Sequence, residues 1–305
     1  MKTTIKTALY LALIISMSSF LSACGSGKKE SHTHADGTVH EGKEHAADSH
    51  EGHNHEGEEH DHHGSNENYS TDFKTTPATP QAGQSVTLSL TPKLKKDPTA
   101  EVPLETNHGK KMHLIVVDEA LNSFQHLHPD YQTSGNYDVK TTFKSGGNYV
   151  LFADYKTTEG GEVVTKHTLN VGGNASTIPT ATTERLTWTN NGINLTLKGK
   201  FETGKTLHIN GLLTQNGSPV NVETLENYLE AKAHIVFIEV ADKDYIHVHP
   251  EIAKGNFHLH AEFEHSGMYR AWVQFMLNGK LQIADFVVNV AKGEGKSEAA
   301  HDHKH

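Results

Sequence analysis

A pattern of three histidines and a proline occurs twice in this chain with the same spacing. Each copy has a histidine, twelve further residues and a His-x-His-Pro motif; the copies are His113, His126, His128 and Pro129, and His234, His247, His249 and Pro250. The similarity extends beyond the motif, because 112–130 aligns with 233–251 without a gap. An internal repeat of this kind indicates two related structural units that hold the histidines at equivalent places.

Strand signals dominate both units. The segment 85–90 alternates apolar and polar residues, and similar segments recur at 194–197, 206–213 and 286–290; such alternation is typical of half-buried strands. Only 222–229 suggests a helix, and it is short. Many short strands separated by turn residues are typical of β-sandwiches. We therefore predict an all-β chain with two tandem, related immunoglobulin- or cupredoxin-like β-sandwich domains.

The start of the chain predicts an exported, lipid-anchored protein. Lys2 and Lys6 precede an apolar run over 8–20 that is too short for a standard membrane-spanning helix. The run ends in Leu-Ser-Ala-Cys at 21–24, which resembles the bacterial lipobox and implies lipid attachment to Cys24. An ordinary secretory signal with an incidental cysteine is the alternative. We expect a lipoprotein of the cell envelope, anchored to the membrane and facing the periplasm or the exterior.

The predicted organisation has six parts. They are a lipoprotein signal peptide (1–23), a disordered histidine-rich tether (24–71), β-sandwich domain 1 (72–172), a linker (173–177), β-sandwich domain 2 (178–291) and a disordered histidine-containing tail (292–305). Because Cys24 is the only cysteine, intrachain disulfides and thiolate metal sites are excluded. The formal net charge of -10 argues against nucleic acid as a partner.

The tether is rich in histidine and poor in apolar residues, so nothing offsets the entropy of ordering it. We predict that it chelates metal through weak, interchangeable sites, which include His53, His55, His60, His62 and His63. The alternative is a solvated spacer whose histidines only titrate. The C-terminal tail repeats the composition on a smaller scale.

The spacing of each histidine pattern predicts a β-hairpin with three imidazoles at its open end. If 112–117 and 124–128 pair as antiparallel strands, position 113 faces 128 and position 115 faces 126. Pro129 would end the second strand just beyond the site. We predict metal ligands at His113, His126, His128, His234, His247 and His249. Because these histidines share a strand face with apolar residues, the alternative is that they are buried neutral side chains without metal.

Three imidazoles with an open position suit copper(II) or zinc, and nickel is a further possibility; we expect copper first and zinc next. Neither unit has an acidic residue at a motif position that could act as a general base, so we predict a binding protein without catalytic residues. His258 and His260 would share a strand face in the second unit, where they could add a ligand or lie on a solvated strand.

The segments Met-His-Leu-Ile-Val-Val at 112–117 and Phe-Gln-His-Leu-His-Pro at 124–129 resemble secreted bacterial proteins with YtkA-like domains. A more distant resemblance is to the periplasmic copper-resistance protein CopC. The resemblance implies an immunoglobulin- or cupredoxin-like fold and the handling of copper or other heavy metals. The expected function is a lipid-anchored envelope protein that buffers copper or zinc, or delivers it to an exporter or acceptor protein. The alternatives are a scaffold or adhesion lipoprotein with structural histidines, and a metal-dependent envelope enzyme.

Overall fold

The computed structural model describes residues 67–293, and nearly all regular structure in this range is β-strand. Within that range the one helical element is a short 3-10 turn, Val222–Thr224. No helix of the described part is long and apolar enough to cross a membrane. The prediction of an all-β chain is confirmed. The expected signal peptide, Cys24 and the tether histidines, together with 294–305, lie outside the described residues.

Domain 1 consists of two four-stranded antiparallel sheets packed face to face. Its strands are β1 (Tyr69–Thr76), β2 (Ser85–Leu94), β3 (His113–Asp118), β4 (Phe124–Leu127), β5 (Asp130–Tyr131), β6 (Tyr137–Thr142), β7 (Gly147–Thr157) and β8 (Gly161–Val171). One sheet has the order β1-β2-β6-β5 and the other the order β4-β3-β7-β8. Alternate residues of β2, namely Val86, Leu88 and Leu90, are buried in the core, as the alternation in the sequence predicts.

Domain 2 repeats this arrangement. Its strands are β9 (Thr187–Asn190), β10 (Ile193–Lys198), β11 (Leu207–Gln215), β12 (Ser218–Pro219), β13 (Ala233–Glu239), β14 (Tyr245–Val248), β15 (Glu251–Ala253), β16 (Asn256–Ala261), β17 (Gly267–Leu277) and β18 (Lys280–Val290). The order β14-β13-β17-β18 matches β4-β3-β7-β8 strand for strand. The second sheet, β15-β16-β11-β10-β9, carries β12 beside β11. Two tandem, related sandwich domains are therefore confirmed.

The strand that carries the first motif histidine is buried on both faces in each domain. Leu114 and Val116 of β3 point into the core of domain 1. Ile115 and Val117 point the other way, into an apolar cluster that also contains domain 2 residues such as Val236 and Trp272. Because this cluster draws on both domains, the outer faces of the two histidine-bearing sheets pack against each other.

Some boundaries differ from those expected. β1 begins at Tyr69, and Tyr69 and Thr71 are buried, so 69–71 belong to the sandwich and not to the tether. The described segment 172–186 contains no strand. Within it, Ala175 bridges to Gly146 of domain 1, and the first bridge to domain 2 comes only at Arg185.

The expected short helix over 222–229 is wrong beyond its first turn. The 3-10 turn ends at Thr224, and the backbone of the next residue, Leu225, is extended with φ -64 and ψ 149. The Leu225 side chain packs in the domain 2 core, and Leu229 and Glu230 have positive φ. Core packing and a tight turn thus override the helical pattern of this segment.

Candidate metal centre

The histidine pattern forms the predicted hairpin in both domains. β3 pairs with β4 so that Ile115 faces His126, and β13 pairs with β14 so that Val236 faces His247. In the first triplet, His113, His126 and His128, ring centroids lie 5.2, 5.1 and 4.6 Å apart. In the second triplet, His234, His247 and His249, they lie 5.9, 4.7 and 4.6 Å apart. Within each triplet one ligand nitrogen per ring lies within 4.8 Å of the others.

The two triplets lie side by side where the domains meet. The His247 ring is 5.5 Å from His113 and 5.7 Å from His126, and the His234 ring is 5.7 Å from His126 and 6.1 Å from His113. The two copies of the pattern are therefore distant in sequence but adjacent in the structure. The six histidines, which we call the histidine centre, form one cluster to which each domain contributes half.

Backbone turns orient the first histidine of each triplet. His113 Nε2 is 3.0 Å from the Asn107 carbonyl oxygen, and His234 Nε2 is 2.8 Å from the Tyr228 carbonyl oxygen. Each carbonyl belongs to the first residue of an equivalent two-residue turn, whose central residues have positive φ. Because a carbonyl oxygen only accepts, each Nε2 carries the proton and each Nδ1 keeps its lone pair for the centre.

The opposite domain orients the second histidine of each triplet. His126 Nδ1 is 2.6 Å from Gln274 Oε1 of domain 2, and His247 Nδ1 is 2.9 Å from Asp154 Oδ2 of domain 1. Asp154 lies opposite His113 on β7, and Gln274 lies opposite His234 on β17, so the two acceptors occupy equivalent places. Carboxylates and amides in this position hold a metal-binding imidazole in one tautomer.

These hydrogen bonds bring lone pairs together in the first triplet. Neutral His126 donates Nδ1–H to Gln274, so His126 Nε2 and His113 Nδ1 face each other at 3.0 Å with a lone pair each. Two lone pairs at this distance repel unless a proton or a cation lies between them. In the described part of the chain His128 Nε2 is buried and has no hydrogen-bond partner. The donor set fits a metal ion.

Burial keeps the rings in the form that binds metal. Burial and the neighbouring imidazoles lower the pKa of His128 to about 3, and burial lowers the pKa of His234 to about 4. The pKa values of His126 and His249 are also lowered, for the same reasons. At neutral pH these four imidazoles are uncharged, and the neutral imidazole is the metal ligand. An all-imidazole set suits copper(II) or zinc.

Aromatic pairs between the domains seal one side of the centre. Phe124 of β4 stacks on Trp272 of domain 2 with ring centroids 4.6 Å apart, and Tyr245 of β14 stacks on Phe152 of domain 1 at 4.7 Å. The two pairs are equivalent, since each joins the first residue of one hairpin strand to the long strand of the other domain. Together with Ile115, Val117, Val236 and Ile238 they keep this face of the histidines away from water.

The sequence interpretation missed several residues of the site. His108 stacks on His249 across the domain boundary with ring centroids 3.4 Å apart. Its equivalent in domain 2 is Leu229, so the repeat carries no signal for it. Asp154 and Gln274 occupy equivalent positions in the two domains but are different residue types. Each accepts a hydrogen bond from a histidine of the other domain. A third group, His208, His258 and His260, lies outside the centre on domain 2.

A family model described as a domain of unknown function, DUF8832, matches the chain twice, over 65–173 and 188–292. The chain belongs to this family. The two matches coincide with the two sandwiches, which fits a tandem duplication of one domain. The resemblance to YtkA-like and CopC proteins stays a prediction. No curated protein matches the chain.

Solved structures of several β-proteins are similar to the chain at low identity. A tetra-tandem repeat from the extending region of a large adhesion protein is 11% identical, with a TM-score of 0.25, covering 73% of this chain and 50% of that one. The fibronectin(III)-like modules of Clostridium thermocellum CbhA are 12% identical, with a TM-score of 0.21, covering 77% of this chain and 100% of theirs. The Yersinia pseudotuberculosis adhesin InvE is 14% identical, with a TM-score of 0.24, covering 74% and 62%. The chain thus spans half the length of the first of these structures.

Proposed function

We propose that this protein is a lipid-anchored metal-binding protein of the cell envelope that buffers copper or zinc, or delivers it to an exporter or acceptor protein. One observation supports the metal assignment above all others. Six histidines from two domains meet in one cluster, with each second histidine oriented by an acceptor from the other domain. In the first triplet the lone pairs of His113 Nδ1 and His126 Nε2 face each other at 3.0 Å. In the described chain His128 Nε2 is buried without a hydrogen-bond partner, and together these nitrogens suit a cation.

Each triplet would hold one ion. His113 and His234 would bind through Nδ1, because their Nε2 protons are donated to turn carbonyls. His126 and His247 would bind through Nε2, because Gln274 and Asp154 accept from Nδ1. A bound copper or zinc ion supplies a concentrated positive charge that the neutral rings stabilise by donation.

Binding is a better assignment than catalysis. Among the described residues, Asp154 is the carboxylate that hydrogen-bonds to a histidine of the centre, and its Oδ2 already accepts from His247 Nδ1 at 2.9 Å and from the Tyr245 hydroxyl at 3.0 Å. A carboxylate engaged by two donors in a buried interface orients a ligand and is poorly placed to take a proton from water. A metal-dependent enzyme therefore remains the weaker alternative.

The ends of the chain support delivery near a membrane. The lipobox-like Leu-Ser-Ala-Cys at 21–24 would anchor the protein, and histidines such as His53 and His55 would capture ions weakly and raise their concentration near the centre. Such an arrangement would serve a metal exporter or an acceptor protein in the same envelope.

A scaffold with structural histidines is the second candidate. It is favoured by the backbone hydrogen bonds of His113 and His234 and by the burial that lowers the pKa of His234 to about 4 without any ion. This candidate predicts that removal of metal changes neither the stability nor the arrangement of the domains.

The test uses the full chain, with zinc and copper(II) competed against a chelator of known affinity so that only tight sites take up metal. We expect two tight sites, of which His126→Ala removes the first and His247→Ala the second. His265→Ala is the matched control, because His265 is an exposed domain 2 histidine paired with Asp244, and it should remove neither. X-ray absorption of the loaded chain should report imidazole nitrogen ligands. If the wild-type chain has no tight site, or both alanine variants bind like the wild type, the scaffold is the better description.

A further inference from the structure

Three histidines lie together on the other sheet of domain 2. His208 is on β11, and His258 and His260 are on the neighbouring strand β16. His208 is directly opposite His260, and His258 is two residues from His260, so all three project from one face. Their ring centroids lie 4.7, 5.0 and 5.5 Å apart, and one ligand nitrogen of each ring lies within 4.8 Å of the others. We call this group the surface triplet.

Polar neighbours extend the surface triplet across three strands. Asn210 and Glu251 lie on either side of His258, on β11 and β15. His258 Nδ1 is 3.1 Å from Asn210 Oδ1, which accepts its proton and leaves Nε2 with the lone pair. The pKa of His258 is lowered by partial burial and by its two histidine neighbours, so this ring is neutral at pH 7. Glu251 supplies a carboxylate beside the rings.

The sandwich does not require these histidines. Domain 1 has the same three strands in the same register, where Thr87 faces Lys140 and Asp138 lies between Ser89 and Asp130. The equivalents of His208, His258 and His260 there are Thr87, Asp138 and Lys140. Since domain 1 folds with three unlike side chains at these places, packing does not explain why domain 2 carries three histidines.

We propose that the surface triplet is a separate binding site for a divalent transition-metal ion that prefers imidazole, namely zinc, copper(II) or nickel. The exposed rings leave coordination positions open to water, so an ion should exchange faster here than in the buried centre. Glu251 follows His249 of the centre by two residues, about 7 Å along an extended chain. The chain therefore runs directly from the second triplet of the centre to the strand beside His258.

The test is residue-resolved footprinting of the full chain with diethyl pyrocarbonate, which acylates imidazole nitrogens that hold no metal. Zinc is titrated, and acylation is read by tandem mass spectrometry of tryptic peptides. The peptide 255–270 carries His258, His260 and also His265, an exposed histidine paired with Asp244 outside the triplet, which serves as an internal control. We expect zinc to protect His208, His258 and His260 with one shared midpoint and to leave His265 unchanged.

His208→Ala should then raise the zinc midpoint of His258 and His260 at least about tenfold, since loss of even a supporting residue costs a metal site 10- to 100-fold in affinity. Because His208 is exposed, this variant should fold normally, and unchanged protection of His126 and His247 confirms it. The proposal is overturned if zinc does not change the acylation rates of His258 and His260, or if His208→Ala does not change their zinc midpoint. If zinc protects the surface triplet but not the histidine centre, the result contradicts the proposed function and still supports the surface triplet as a metal site.

Discussion

Asp154 and Gln274 occupy equivalent places but differ in charge, which predicts that the two halves of the centre bind metal unequally. Asp154 Oδ2 accepts from His247 of the second triplet, and Gln274 Oε1 accepts from His126 of the first. Asp154→Asn keeps an acceptor oxygen for His247 and removes only the charge. Gln274→Glu keeps the acceptor for His126 and adds a charge. One substitution therefore removes a charge beside the second triplet, and the other adds a charge beside the first.

The magnitude follows from the role of the acceptor. A carboxylate that accepts from Nδ1–H makes the opposite ring nitrogen a stronger donor to a cation, and losing such a partner typically costs 10- to 100-fold in metal affinity. This corresponds to about 1.4–2.7 kcal/mol. Asp154→Asn should weaken the second triplet by that amount. In the metal-free chain the change should be only about 1 kcal/mol, because a charge-assisted hydrogen bond becomes a neutral one while a buried charge disappears.

Gln274→Glu should act in the opposite direction on the first triplet. Its side chain is almost completely buried, so the added carboxylate should destabilise the metal-free chain. Zinc should restore that stability and bind the first triplet more tightly than in the wild type.

Each effect is measured where only one triplet remains. Asp154→Asn is compared with its parent in the His126→Ala background, and Gln274→Glu in the His247→Ala background, by zinc competition with a chelator. Asp72→Asn, which alters an exposed domain 1 carboxylate, is the matched control and should change neither affinity. If Asp154→Asn leaves the zinc affinity of the second triplet unchanged, the acceptor assignment is wrong.

The centre should also respond to pH and to loss of an interdomain aromatic, and the surface triplet should be transferable to domain 1. The metal-free chain should lose roughly 2–3 kcal/mol of unfolding free energy between pH 7.5 and pH 5, after discounting for exposure. The pKa is lowered to about 3 for His128 and to about 4 for His234 in the folded chain, so below pH 6.5 the unfolded chain binds more protons than the folded chain. Urea unfolding at both pH values measures this, and equal or higher stability at pH 5 would contradict it. Trp272→Ala should cost about 3–5 kcal/mol of stability, because it removes a buried side chain, including its stack with Phe124, and leaves a cavity; it should also weaken zinc binding. Tyr131→Ala, at an aromatic that is 48% exposed, should have neither effect, as thermal melts and chelator competition would show. Replacing Thr87, Asp138 and Lys140 of domain 1 together by histidine should create a second zinc-protected triplet in footprinting, and absence of protection there would show that the sheet face alone is not sufficient.

The local geometry of the site follows from the sequence because strand pairing is periodic. Once 113 and 126 lie on neighbouring antiparallel strands joined by a short connection, parity alone decides which residues share a face. The register with Ile115 opposite His126 is the predicted one. The strands over 85–90 and 206–213 follow from alternation in the same way.

The meeting of the two triplets does not follow from the sequence. An apolar strand face indicates burial but not which surface buries it, and Ile115 or Val236 would look the same packed inside its own sandwich. The structure packs them across the domain boundary. His108, Asp154 and Gln274 act across that boundary too, so no spacing within one repeat points to them. The helix expected at 222–229 fails for a related reason, because core packing of Leu225 outweighs local propensity.

If the histidine centre binds metal as proposed, the contacts exchanged between the domains couple metal binding to domain docking. Each domain gives the other an acceptor for a histidine and a partner for an aromatic ring, as in Gln274 with His126 and Phe152 with Tyr245. An ion that binds only the docked arrangement must stabilise it by RT ln(1 + [L]/Kd), about 2.7 kcal/mol at a hundredfold excess of ligand over Kd. Zinc should therefore slow proteolysis of the segment 172–186 between the domains in the wild-type chain. In the chain with both His126→Ala and His247→Ala, zinc should leave the cleavage rate unchanged. If zinc slows cleavage equally in both chains, metal binding at the histidine centre does not stabilise the docked domains.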